Sequence, residues 1–283
     1  MSHEQRLDLP GLLTSGIGLF ALTYGLIEAN TYGWTSGRIL GAFAVAVVSL
    51  VAFVLLERHQ RLPMLDLSLF RSGTFTGANL VVLLVAFAMF GIFLFLSLYL
   101  QNVLGYSAVQ TGAAFLPMTI LIILLAPIAG KASDRIGSRW LMTAGMTLLS
   151  IQLLYFSQLG PDAGFWNLLP GMLIGGAGMS LTMTPSAAAA TRAVPVEKAG
   201  VGSAVLNAFR QVGGSVGIAL MGAIVAAQAG GQRTVEAFMD GFQVSLIVAA
   251  VIAFAGAAVA AVLVRPHALE EHHAEAAVPE IAA

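Results

Sequence analysis

The sequence predicts an all-α polytopic membrane protein with eight transmembrane helices, and three observations carry that prediction. The 283 residues are 58% hydrophobic and only 10% charged, with a mean hydropathy of +0.88, whereas soluble domains run near 45–50% apolar and about 25% charged. Charge is absent from the stretches 9–27, 39–56, 72–130, 140–161, 163–191, 211–232 and 241–264. Each is close to or above the roughly 20 residues that cross a ~30 Å hydrocarbon core at about 1.5 Å per residue. Period-2 alternation is lacking, and backbone groups in lipid must be bonded internally, which leaves helices.

Taken in order, the first span is placed at 12–31 and the second at 37–56, separated by a polar turn around TYGWTSGR. The segment 57–75, ERHQRLPMLDLSLFRSGTF, is the longest polar interruption. The stretch 72–130 is too long for one crossing and holds spans three and four, 77–100 and 108–129, around the polar turn QNVLGYSAVQ (101–110). Spans five to eight follow at 140–159, 166–189, 201–227 and 242–264. Pro117, Pro127 and Pro185 lie in or near the ends of spans four and six, where a missing N–H and a ring clash kink helices. After Arg265, the run PHALEEHHAEAAVPEIAA lacks apolar periodicity and reads as a disordered tail. Its His267, His272 and His273 are read as solvated, so no metal site is expected.

Eight crossings put both termini on one side. With the N-terminus cytoplasmic, the inner segments hold ten Lys and Arg and the outer loops only Arg38 and Arg233, with Arg210 left inside a span. The positive-inside rule therefore places both ends in the cytoplasm, in the cell membrane. The expected organisation is a helix pair over 1–56, a cytoplasmic loop over 57–75, a six-helix bundle over 76–264 and a tail over 265–283.

Several classes are excluded. A net charge of −1 offers no basic excess for nucleic acid. Cysteine is absent, which removes disulfides and thiol chemistry. The opening MSHEQRLDLPGLL carries acids and has no small-residue cleavage site, so a removable signal peptide is not expected. Paired intramembrane carboxylates, an HExxH helix and a nucleophile elbow are all missing, so the reading is not an enzyme and needs no cofactor.

One loop stands out. GKASDRIGSR, residues 130–139, concentrates Lys131, Asp134, Arg135 and Arg139 between two bare stretches. Topology accounts for the cations but not for the aspartate or the glycines. Gly130 and Gly137 suit a tight turn and close helix approach. Asp134 stands just before span five, where a carboxylate can accept from orphan N–H groups. Arg135 and Arg139 are four apart and share a face if that helix starts early.

A second feature is span seven. Ser203, Asn207, Arg210, Gly214 and Gly217 follow a three/four spacing and form a polar, small-residue stripe, with Gln211 beside it. Arg210 lies about 14 Å along this span by helical rise. A central Arg is costly in lipid, so it should meet a polar partner or a water cavity. Gly213-x-x-x-Gly217 and Gly171-x-x-x-Gly175 are read as close-packing positions. Glu28 is the one acidic residue within a span core, near the outer end of span one, where it reaches toward the headgroups.

The pattern G-x-x-x-D-R-x-G-x-R resembles the loop signature of the major facilitator superfamily, with Gly130, Asp134, Arg135, Gly137 and Arg139 on its characteristic positions. Ala132 and Ser138 depart from it, standing where leucine and a basic residue are common. LERHQRLPMLDLSLFRSGTF, LYLQNVLGYSAVQTGAAFLP, GMLIGGAGMSLTMTP and AGVGSAVLNAFRQVGGSVGIAL are similar to the fourteen-span drug:proton antiporter group within it. The resemblance implies that spans one and two are that group's central pair and spans three to eight its C-terminal half. It further implies drug efflux by alternating access, driven by a proton gradient, with no bound cofactor. The Asp134 loop would be a conformational switch. Read from the residues themselves, Asn207, Arg210, Gln211, Gly214 and Glu28 are the transport-pathway candidates, and Arg210 reads equally as a structural arginine tied to carbonyls at a helix interface. Partners would be membrane lipid, a hydrophobic or amphipathic small molecule, and an N-terminal transporter half or a second copy. A non-transporting remnant or assembly subunit with the same fold stays open at this point.

Overall fold

The computed structural model describes residues 8–59, 67–229 and 234–265. Arg233 and two of the inner cations, Arg6 and Arg61, lie outside the described residues, as do the middle of the 57–75 loop and the histidine-bearing tail. Among the described residues all regular structure is helical. The α-helices are α1 (Leu9–Tyr32), α2 (Gly37–His59), α3 (Gly73–Leu98), α4 (Ala108–Ala114), α5 (Leu116–Ile136), α6 (Ser138–Phe156), α7 (Phe165–Arg192), α8 (Ala199–Ala229) and α9 (Val235–Leu263). A single turn of π-helix, Tyr99–Val103, extends α3.

Local chemistry sets where they start. Asp8 Oδ1 accepts from the Gly11 N–H (3.0 Å) ahead of α1, Ser72 Oγ from Phe75 N–H (3.3 Å) ahead of α3 and Thr234 Oγ1 from Ala237 N–H (3.2 Å) ahead of α9. Ser107 and Gln110 cap α4 reciprocally, the Gln110 N–H donating to Ser107 Oγ (3.2 Å) and the Ser107 N–H to Gln110 Oε1 (2.8 Å).

The eight expected crossings are all helical, with one difference. Span four breaks at Phe115 into α4 and α5, and Pro117 sits in the first turn of α5. Proline lacks the N–H that Ala113 would need and its ring crowds that carbonyl, so the chain restarts its helix here. Six elements are long and apolar enough to cross a membrane by length and composition, the α4–α5 unit counting as one; α6 and α7 are less apolar. In α7 the buried polar groups are satisfied within the helix. The buried hydroxyls of Ser180, Thr182 and Ser186 donate to the carbonyls of Gly176 (2.9 Å), Gly178 (2.8 Å) and Thr182 (2.6 Å).

The helices alternate direction. At one end Arg265 N–H, just past α9, donates to Thr74 Oγ1 at the start of α3 (3.2 Å). At the other, Tyr99 Oη donates to Gly160 O (2.5 Å) and Gln243 Nε2 to Leu159 O (3.3 Å), tying the far end of α3 and the start of α9 to the α6–α7 loop. The core lies around α3, where Phe75, Val81, Val85, Phe87 and Leu96 are buried together with Met142, Met146 and Leu149 of α6 and Phe242 and Leu246 of α9. Large apolar side chains elsewhere face outward, such as Val47, Val48 and Val51 on α2. A hydrocarbon surround suits such a surface.

α1 and α2 pack on each other, and α1 docks on α8. Asn30 Nδ2 donates to Ala219 O (3.0 Å) while Asn30 Oδ1 accepts from Trp34 Nε1 (3.1 Å). Gly222 makes room, since a Cβ there would stand 2.5 Å from Asn30 Nδ2. Asn30→Ala is expected to lower unfolding free energy in detergent by about 0.6–1.7 kcal/mol, the measured range for interhelical bonds in membranes. Equilibrium unfolding of the purified chain reads this directly.

Candidate functional site

The Asp134 turn is tighter than a loop. α5 ends at Ile136, Gly137 adopts φ 83° and ψ 157°, and α6 begins at Ser138. The Gly137 N–H closes α5 onto Ser133 O (3.1 Å), a conformation that a Cβ would strain. Beneath it the hydroxyls of Ser133 and Ser138 hydrogen-bond at 2.7 Å, both buried.

Three sequence expectations change here. Asp134 belongs to the last turn of α5, and α6 has no side-chain cap, so this carboxylate does not serve the orphan N–H groups of α6. Instead it forms an ion pair with Arg192, the last residue of α7. Arg135 and Arg139 do not share a face, because Gly137 puts them on different helices. Arg135 is exposed, and Arg139 lays its guanidinium over the Trp140 ring, 5.0 Å from the centroid. Gly130 is not at the turn but inside α5, where a Cβ would meet Thr184 Cγ2 at an ordinary 3.5 Å.

Arg192 is the residue that sequence reasoning missed, one of the ten inner Lys and Arg that the charge distribution explains by topology alone. The signal was there: it ends the uncharged run 163–191 on the same side of the membrane as the turn. A second observation singles out Asp134. A carboxylate in the last turn of a helix opposes the negative end of that helix's own dipole, so α5 by itself gains nothing from it.

The α8 stripe divides. Gly213 and Gly217 face α3 so closely that a Cβ at either would overlap the carbonyl oxygen of Leu83 or Phe87, respectively. Both partner numbers rise together, so α3 and α8 run parallel, and the same register puts Arg210 level with Leu80, about 10 Å along α3. Arg210 extends the glycine row and is half-buried, its Nε enclosed without a hydrogen-bond partner among the described residues. Ser203, Asn207 and Gln211 are exposed on the neighbouring edge. Gly214 faces the Phe90 ring of α3, so the edge continues into Phe90 and Leu94, exposed by 43% and 40%. Glu28 is half-buried in α1. Through Asn30 it is level with the Ala219 region of α8, about 13 Å along the axis from Arg210, too far to neutralise it. The Asp134 group, the α8 group and Glu28 are thus three separate places.

A family model for the Major Facilitator Superfamily matches residues 78–281. The chain belongs to the major facilitator superfamily. As a member it is a multi-pass membrane protein of a transporter family. It is 36% identical over 227 residues to the multidrug resistance protein Stp of Mycobacterium tuberculosis, covering 80% of this chain and 42% of that one. The tetracenomycin C resistance and export protein of Streptomyces glaucescens is 33% identical over 223 residues, covering 79% of this chain and 41% of its own length. The superfamily chain thus spans about two-fifths of these relatives. Its fold is similar to the crystal structure of a bacterial homologue of the human lysosomal transporter Spinster, inward-facing and unoccupied, with TM-score 0.58 and 17% identity over 89% of this chain and 68% of that one.

Proposed function

We propose that residues 1–283 act as the C-terminal portion of a multidrug-type efflux transporter that exchanges a hydrophobic or amphipathic compound for protons by alternating access. Its cavity needs an opposing six-helix half, supplied by a further segment or a second copy. The observation that carries this reading is the exposed edge Ser203–Asn207–Gln211 beside Phe90 and Leu94. Amide side chains at this depth are costly against lipid tails and fit a wall that another bundle covers.

In this reading α1 and α2 are the inserted central pair and α3 to α9 the transporter half. The Asp134–Arg192 pair latches α5 to α7 on the cytoplasmic side. That side is supported by charge: Arg38 is the one described Lys or Arg at the opposite end. Arg210 with Asn207, Gln211 and Gly214 forms part of the pathway wall. The opposing half carries the proton-coupling carboxylate, because Glu28 stands apart from that wall. Resistance and export activities of the relatives support the substrate class.

The test is ethidium efflux by cells expressing residues 1–283 with and without a co-expressed N-terminal half of a relative. Efflux is expected in the combined case, and from residues 1–283 alone only where two copies associate. Efflux by the purified monomer in vesicles would overturn the requirement for an opposing half.

A further inference from the structure

On the outward side of the α1–α2 pair runs a groove of about 470 Å³, lined by Ile17, Phe20, Tyr24, Ala42 and Val45. Its floor is open because Gly16 and Gly41 leave it so: a Cβ at either meets nothing within 4 Å. The groove is away from the transport wall, and Ile17 and Phe20 are 51% and 73% exposed along it. Its lining is apolar except at one end, where Arg38 of the first turn of α2 joins it.

Arg38 is held there by two rings. Its guanidinium carbon is 4.2 Å from the Tyr32 centroid and 5.4 Å from that of Tyr24, and Tyr24 stacks on Phe20. It makes no ion pair among the described residues. A cation fixed by aromatic faces at the membrane boundary, directly above an apolar channel, offers an anion site and a hydrocarbon site in series.

We propose that this groove holds one acyl chain of an anionic phospholipid, in the leaflet opposite the Asp134 turn, with the lipid phosphate against Arg38. The spacing follows from chemistry: a phosphate at headgroup depth neutralises the cation, and the chain beneath it covers Ile17, Phe20 and Val45. A lipophilic cation is disfavoured because the one charged group of the groove is positive. A second copy would have to present an anion at the same depth, and none of the residues lining the groove is acidic to reciprocate.

The full chain, reconstituted in vesicles of three parts phosphatidylcholine to one part phosphatidylglycerol, tests this with spin-labelled forms of both lipids. A motionally restricted component is expected that prefers phosphatidylglycerol about five-fold, the effect of one interfacial cation. Arg38→Gln should erase the preference and Arg38→Lys keep most of it. Gly41→Leu and Gly16→Leu fill open space, and should reduce the restricted component while Arg38 stays in place. An unchanged preference in Arg38→Gln, or an unchanged restricted component in both glycine variants, would overturn the proposal. So would ethidium displacing the restricted lipid, or a loss of dimers on filling the groove, since either names another occupant.

Discussion

Asp134→Asn, in a transporter completed with its opposing half, is expected to lower ethidium efflux by about 5–150-fold, the range of ordinary coupling between two states. The protein level and melting temperature should barely move. Asp134 and Arg192 are exposed by 62% and 49%, and ion pairs so open to solvent contribute about 0–1 kcal/mol. What the substitution removes is the one ion pair among the described residues between the end of α5 at Asp134 and the end of α7 at Arg192. A latch matters for switching only if it is made in one state and not the other. The charge exchange Asp134→Arg with Arg192→Asp separates this from a purely local role. It should restore a substantial part of the efflux that either single change loses. Normal efflux in Asp134→Asn would remove the latch from the mechanism.

Gly217→Leu is expected to be strongly destabilising. A Cβ at this position would overlap Phe87 O and stand 2.9 Å from both Phe87 C and Cα. The obstacle is backbone, which cannot rotate aside as a side chain does. Overpacking of this kind costs about 1–3 kcal/mol and occasionally more, and a domain of this size loses about 2–4 °C of melting temperature per kcal/mol. The α3–α8 seam also carries Gly213 against Leu83, so separating the helices at one glycine loosens the other. Gly112→Leu is the control, since a Cβ there meets nothing within 4 Å. Thermal melting in detergent should show a fall for Gly217→Leu and none for Gly112→Leu. Equal melting of the two would mean the seam is not tight.

These two expectations show what could be read from the chain and what could not. Gly137 was legible as a turn residue because a charged, glycine-bearing break between two apolar runs admits few conformations. Gly213 and Gly217 were legible as packing positions from their spacing alone. The partner of Asp134 was not. A capping role was the local solution, and the structure chose a contact 58 residues away. Likewise the stripe on α8 looked continuous by period, yet only the register against α3 told which of its members are buried and which stay open.

By itself the sequence determined that the chain is an all-helical, multi-pass membrane protein, where most of its helices begin and end, and which family it joins. Those properties depend on hydropathy and charge summed over neighbouring residues, and neighbours in sequence are fixed by covalent bonds. Tertiary structure alone decided that Asp134 meets Arg192, that Asn30 anchors α1 to Ala219 across 189 residues, and that Phe115 splits a crossing. Lipid tails attract every apolar helix face about equally, so hydropathy cannot choose which faces meet. That choice is made by shape, through glycines that let backbones touch and a few hydrogen bonds and ion pairs between particular groups.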